Sequence, residues 1–211
     1  MKKNAAIAAL HYVQNHKIIG IGTGSTVNIF IEQLAINKLP IQAVSSSNQT
    51  TNMLKKFNIS IIPFEQTIDL PVYIDGADAY NNLKQLIKGQ GGALTREKIL
   101  AYASKLFVCI VDNNKTIDNF NKTPIAIEVL PMARSSVARS IIKLGGKPIY
   151  RNGFITDNGN IILDVYNLPL HQPIALEEQL NNIPGVIANG IFAVRPADTI
   201  IVGTTSSNFL V

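Results

Sequence analysis

The apolar positions along the chain predict helices alternating with short strands through the first half. Residues 2–14 place Ala6, Ala9, Leu10 and Val13 on one face of a helix. The run Lys17-Ile18-Ile19-Gly20-Ile21-Gly22 reads as a buried strand that ends in glycines. Residues 25–37 return to helical spacing through Val27, Phe30, Ile31 and Leu34. A second strand at 41–44 is followed by Ser45-Ser46-Ser47 and a helix near 48–57. Further strands are expected at 59–62, 72–74 and 106–111. Short strands that are apolar throughout, separated by helices, predict an α/β fold with a mostly parallel, Rossmann-like sheet covered on both faces.

After residue 123 the rhythm changes. Residues 124–129 read as a strand, and 131–144 as a helix with Val137, Ala138, Ile141 and Ile142 turned inward. Gly145-Gly146 stops that helix. Strands at 149–151 and 161–165 are joined through the turn residues Asp157-Asn158-Gly159-Asn160. A helix near 173–182 and a strand over 185–193 complete a β-α-β-β-α-β order, that of a small ferredoxin-like α+β domain. Residues 198–203 read as a strand returning to the main sheet. The expected division is therefore an α/β domain at 1–123 plus 199–211, with the ferredoxin-like domain at 124–198.

Composition narrows the function classes. A length of 211 residues suits one domain with a small insert. Only 16% of residues are charged, against about 25% in an ordinary soluble domain, so a charge inside a motif stands out. The excess of 19 basic over 14 acidic residues gives a net charge of +5. These cations are scattered, without basic runs or interleaved aromatics, so no nucleic-acid partner is expected. A mildly cationic surface instead suits an anionic metabolite. The single cysteine, Cys109, excludes an internal disulfide framework and reads as a buried thiol. His11, His16 and His171 lack metal-ligand spacing. No apolar run approaches the ~18 residues of a membrane span, and the N-terminal apolar stretch is too short for a signal peptide. A soluble cytoplasmic protein is expected, without a membrane partner.

Three segments carry candidate chemistry. Gly20-Ile21-Gly22-Thr23-Gly24-Ser25-Thr26 lies between a strand and a helix. Its glycines let an anion approach the backbone, and helix-start amides with the hydroxyls of Thr23, Ser25 and Thr26 suit a phosphate. The same residues also make a plain glycine turn capped by Ser25 or Thr26. A dinucleotide fingerprint is absent, because its third glycine would fall at Ser25. Asp75-Gly76-Ala77-Asp78 follows a predicted parallel strand, where two close carboxylates can divide acid and base roles. It also fits a solvated turn. Lys88-Gly89-Gln90-Gly91-Gly92-Ala93 opens a helix that carries Glu97. Backbone amides and a lysine there can surround an oxyanion, while Glu97 can equally serve the helix dipole. Lys115, past the fifth strand, is within reach of a phosphate or is a surface lysine.

Together these segments resemble the type A ribose-5-phosphate isomerases. The resemblance runs from the Ala-Leu-His-Tyr-Val stretch at 9–13 through Gly22 to Thr26, Ser45-Ser46-Ser47, Asp75 to Asp78 and Lys88 to Lys98. It continues through Pro131-Met132-Ala133-Arg134-Ser135 and Thr156-Asp157-Asn158-Gly159-Asn160, and so covers nearly the whole chain. It implies interconversion of ribose 5-phosphate and ribulose 5-phosphate in the non-oxidative pentose phosphate pathway. It implies no metal or nucleotide cofactor, and a homodimer or homotetramer. Glu97 resembles the general base, Asp75 the residue that assists ring opening with Asp78 beside it, and Lys88 with the following amides the oxyanion site. Substrate contacts are implied at Thr23, Gly24, Ser25, Thr26, Asp75, Gly76, Ala77, Asp78, Lys88, Gly89, Gln90, Gly91 and Lys115, with Lys2 as a further candidate. Two positions depart from the family pattern. Ala79 and Tyr80 follow the second aspartate where the family has glutamate. Gln90 replaces a glycine, which costs strain if that backbone position needs a positive φ. The rival readings are a sugar-phosphate-sensing module, an amino-sugar-phosphate deaminase and a lactonase.

Overall fold

Strands of two to nine residues, the longer ones mostly apolar, build the larger sheet of the computed structural model, which describes residues 1–115 and 120–211. Its strands are β1 (Ile18–Ile21), β2 (Gln42–Ser45), the short β3 (Ser60–Ile61), β4 (Leu70–Asp75), β7 (Ser104–Asp112), β13 (Thr199–Gly203) and β14 (Asn208–Leu210). They lie in the order β14-β13-β7-β4-β1-β2-β3. All neighbours are parallel except the β13–β14 edge pair. Helices α1 (Lys2–Ala9), α2 (Ser25–Ile36) and α3 (Asn48–Lys56) send Ala5, Ala6, Ala9, Val27, Phe30, Ile31 and Leu54 against Ile19, Ile21, Val72, Ile74, Val108 and Ile110. The alternate residues Tyr73, Phe107, Cys109 and Ile200 are equally buried, so β4, β7 and β13 are covered on both faces over these residues. This α/β unit comprises Met1–Ala77, Ile99–Lys115 and Ala197–Val211.

The second unit comprises Asp78–Lys98 and Thr116–Pro196, so the segment carrying Lys88 and Glu97 joins residues 124–196. Here β8 (Ile125–Val129), α5 (Arg134–Lys143), β9 (Lys147–Tyr150), β10 (Ile161–Tyr166), α6 (Pro173–Asn181) and β11 (Val186–Asn189) follow one another. The sheet order β11-β8-β10-β9 is antiparallel throughout, as in a ferredoxin-like unit. Strand alternation gives β8 two faces. Ile125, Ile127 and Val129 pack with Val137, Ile141, Leu176 and Leu180. Ala126, from the opposite face, packs with Leu94, Ile162, Ala188 and Phe154. A third sheet of β5 (Ala79–Tyr80), β6 (Leu86–Ile87) and β12 (Ile191–Phe192), in the order β12-β6-β5, completes this α+β unit.

Several expectations need correction. Ile142 is 59% exposed, because it lies one helical step around from the buried pair Val137 and Ile141. The strand expected over 185–193 is two strands in different sheets, divided at Gly190. The hairpin of β5 and β6 and the edge strand β14 were not expected from the pattern. Among the described residues, no helix is long and apolar enough to cross a membrane.

Candidate active site

In the α/β unit, β1 has β4 on one side and β2 on the other. The carboxyl ends of β1 and β4 therefore form a switch point, where open α/β sheets bind ligands. Asp75 ends β4 there, fully buried. Its Oδ1 accepts from the amides of Thr23 at 3.0 Å and Gly76 at 2.7 Å, and its Oδ2 accepts from the Tyr73 hydroxyl at 2.5 Å. The carboxylate lies so close to the first turn that a Cβ on Gly22 would fall 1.9 Å from Asp75 Cγ. Only glycine permits that approach. The Thr23 hydroxyl meets Ser46 Oγ at 3.0 Å and donates to Ser47 Oγ at 2.7 Å. Ser47 caps α3 by accepting from the Thr50 amide at 3.0 Å. Gly24, at φ +129°, precedes the first turn of α2, which holds Ser25 and Thr26. Lys2 Nζ donates to Ser25 Oγ at 2.8 Å and stands 3.9 Å from Asp112. Lys115 lies just beyond β7, its amide donating to the Asp112 carbonyl at 3.0 Å.

In the α+β unit, the short hairpin sets two other candidates side by side. Ala79 pairs with Ile87, so Asp78 and Lys88 flank that rung. The Asp78 amide donates to the Ile87 carbonyl at 2.8 Å, and the Lys88 amide to the Gly190 carbonyl at 2.8 Å. The Gly190 amide donates in turn to Ala126, and a Cβ there would fall 2.2 Å from the Lys88 carbonyl oxygen. Gly190 thus lets the chain cross from one sheet to the other against Lys88. Lys88 Nζ stands 3.1 Å from Glu97 Oε2, with 3% and 5% of the two side chains exposed. Glu97 sits in the first turn of α4 (Leu94–Ala103). Between them, Gly89 and Gly92 take positive φ of 105° and 77°. Gln90 is not among the non-glycine residues at positive φ, so it bears no such strain. Its amide is already committed to Asp78 Oδ2 at 3.0 Å. Ala79 is buried in the apolar cluster of Ile87, Ile125 and Ile191.

The supports of this second group were missed by sequence reasoning. Arg151 forms a two-pronged pair with Asp164, at 2.8 and 2.5 Å, and donates to the carbonyls of Gly89 at 3.3 Å and Gln90 at 3.0 Å. Lys98 pairs with Glu177 at 2.5 Å, donates to the Ile191 carbonyl at 2.6 Å, and lies over the Phe192 ring. Burial pushes the Lys98 ammonium below its ordinary value, against the opposing pull of Glu177. Glu128 is buried on β8 and accepts from Thr95, Thr156, Asn158 and Asn160. The available signal was a lone acid within Ile-Ala-Ile-Glu-Val, since an unpaired charge does not survive in such a strand.

The family model described as "Ribose 5-phosphate isomerase A (phosphoriboisomerase A)" matches residues 42–207. The chain is 54% identical over 207 residues to ribose-5-phosphate isomerase A of Legionella pneumophila strain Lens, covering 98% of this chain and 96% of that protein. Among solved structures, ribose 5-phosphate isomerase A from Neisseria gonorrhoeae matches with a TM-score of 0.97 and 43% identity, over 100% of this chain and 95% of that one. A D-ribose-5-phosphate isomerase in complex with phospho-erythronic acid matches with a TM-score of 0.95 and 37% identity, over 100% and 96% of the two chains. The chain belongs to the ribose 5-phosphate isomerase A family, enzymes that interconvert ribose 5-phosphate and ribulose 5-phosphate.

Proposed function

We propose that the isomerisation runs through an enediolate, with Glu97 as the base. The observation that carries this reading is the buried Lys88–Glu97 pair at 3.1 Å, where a glycine-bearing turn opens α4. With the sugar ring open, the Glu97 carboxylate takes the C2 proton. The electron pair becomes the C1–C2 double bond, and the C1 carbonyl oxygen gains the negative charge. Lys88 and the loop amides stabilise that oxygen. The C2 hydroxyl proton passes to the C1 oxygen, and Glu97 returns its proton to C1. The product is the 2-ketose, with no net gain or loss of protons or electrons. A positioned base contributes about 10²–10⁴-fold.

Asp75 assists ring opening by moving a proton between the ring oxygen and the C1 hydroxyl, with Asp78 beside it in sequence. Its three fixed hydrogen bonds support this assignment, because they orient the carboxylate before substrate arrives. Thr23, Gly24, Ser25 and Thr26 at the start of α2 suit the phosphate or sugar hydroxyls, with Lys115 and Lys2 as cationic help. Gly76, Ala77, Gly89 and Gly91 supply backbone contacts to the substrate, while the Gln90 amide stays on Asp78 Oδ2 and shapes the same turn. Phospho-erythronic acid, held by the relative described above, carries a carboxylate in place of the reacting carbons. We expect it to compete with ribose 5-phosphate here. The reaction belongs to the non-oxidative pentose phosphate pathway, in the cytoplasm, and the enzyme acts as a homodimer or homotetramer.

The test is a direct aldose–ketose assay with the purified chain, with and without chelator. We expect ribulose 5-phosphate to form in both. No product at saturating ribose 5-phosphate contradicts the assignment. Parallel incubation with an amino-sugar phosphate and with phosphogluconolactone separates the deaminase and lactonase readings. Light scattering reports the assembly size.

A further inference from the structure

We propose that Glu128 is a positioning residue for the isomerisation, acting through Thr95 to set the first turn of α4. This rests on the reading of Glu97 as the base. Glu128 lies on β8, with Ile162 of β10 on one side and Ala188 of β11 on the other, and its side chain is fully buried. Its strand neighbour Ala126 joins Leu94, Ile162 and Ala188 in a small apolar cluster. An apolar residue at 128 would extend that cluster, but it would leave the donors around Glu128 without an acceptor. The presence of a carboxylate here calls for a reason.

Its bonds supply one. Thr95 Oγ1 donates to Glu128 Oε2, two residues before Glu97. Thr156 Oγ1 donates to Oε1 at 2.8 Å, Asn160 Nδ2 at 2.8 Å and Asn158 Nδ2 at 3.1 Å. The turn that carries these donors reaches α4 a second time. Arg96 donates from Nε to Asn158 Oδ1 at 2.8 Å and from Nη2 to the Asp157 carbonyl at 2.8 Å. Both residues immediately before Glu97 are thus tied to one buried carboxylate or to the turn it organises. The turn itself is closed by the Thr156 amide on Asn160 and the Gly159 amide on Thr156. Glu128 accepts from four side chains and donates nothing, so it fixes orientation as a hub. Side-chain placement at this precision matters, since a shift of about 1 Å in a reacting group can cost 10²-fold.

The experiment compares Thr95→Val, Thr95→Ser and Glu128→Gln by steady-state kinetics, below each variant's unfolding midpoint. Thr95→Val is expected to lower kcat by about 10–10²-fold with KM unchanged, and Thr95→Ser to restore it. Glu128→Gln should show the same kcat-selective loss. The double variant should lose no more than the worse single one, because one contact is removed twice. If Glu128→Gln does not fold, the Thr95 pair decides alone. A wild-type kcat in folded Thr95→Val, a loss carried by KM, or a loss that serine does not restore overturns the proposal. Glu97→Gln is measured alongside. If it keeps turnover, the base assignment fails; if it is inactive while Thr95→Val is wild type, only the role of Glu128 fails.

Discussion

The turn at 20–26 is held by hydroxyls and amides. Thr23 reaches Ser46 and Ser47, Thr50 donates to the Gly22 carbonyl at 2.6 Å, the Asp75 carboxylate is met by two amides and a phenol, and the half-exposed Lys2 adds a single charged bond to Ser25. The turn at 88–93 is held by charges. Arg151 grips its carbonyls while paired to Asp164, Lys88 faces Glu97, and Glu128 holds the helix that follows. Neutral hydrogen bonds contribute about 0.5–1.5 kcal/mol each, and stranding one buried neutral partner costs about 1–3 kcal/mol. Removing one member of a buried ion pair strands the other charge, at about 3–5 kcal/mol. The first turn should therefore degrade gradually and the second abruptly.

The largest effect is expected from Lys88→Met, which removes the cation paired with the buried Glu97. It should destabilise the protein by about 3–5 kcal/mol in denaturant unfolding, besides removing the oxyanion's cation. A loss below about 1 kcal/mol would place this pair with surface ion pairs and remove the contrast. Gly22→Ala comes next. Its Cβ would fall 1.9 Å from Asp75 Cγ, and such overpacking costs about 1–3 kcal/mol. Turnover should fall with it as Asp75 shifts. Ser47→Ala removes the cap of α3 and a partner of Thr23, and thermal unfolding should register about 0.5–2 kcal/mol. The smallest effect belongs to Gln90→Gly. Gln90 has no positive φ to relieve, so glycine should lower stability by about 0.4–1 kcal/mol through the unfolded chain. A rise in the unfolding midpoint would reveal strain at that position.

The same contrast explains what the sequence made legible. The parallel sheet and its switch point announced themselves because strands buried on both faces are short apolar runs, as in Ile18–Ile21 and Ser104–Asp112. The switch-point turn was legible because its glycines and hydroxyls are contiguous at 20–26 and 45–47. The β5–β6 hairpin was not, since two-residue strands carry no period. Nor was the break at Gly190, which depends on the Lys88 carbonyl far away in sequence. Lys88 and Glu97 stood out as charges in a charge-poor chain. Glu128, Arg151, Asp164 and Glu177, which support them and their helix, stand singly in strands, helix or loop and match no motif. Their meaning lies in partners 13 to 79 positions away, and no local pattern records such distances.

The most direct test is the behaviour of Glu97→Gln, which keeps the shape of the side chain and removes its basicity. Turnover of ribose 5-phosphate and exchange of its C2 hydrogen with solvent are measured together with binding of phospho-erythronic acid. Both rates should fall by about 10²–10⁴-fold or more, with binding retained. Turnover and C2 exchange at wild-type rates would contradict the assignment of Glu97 as the base.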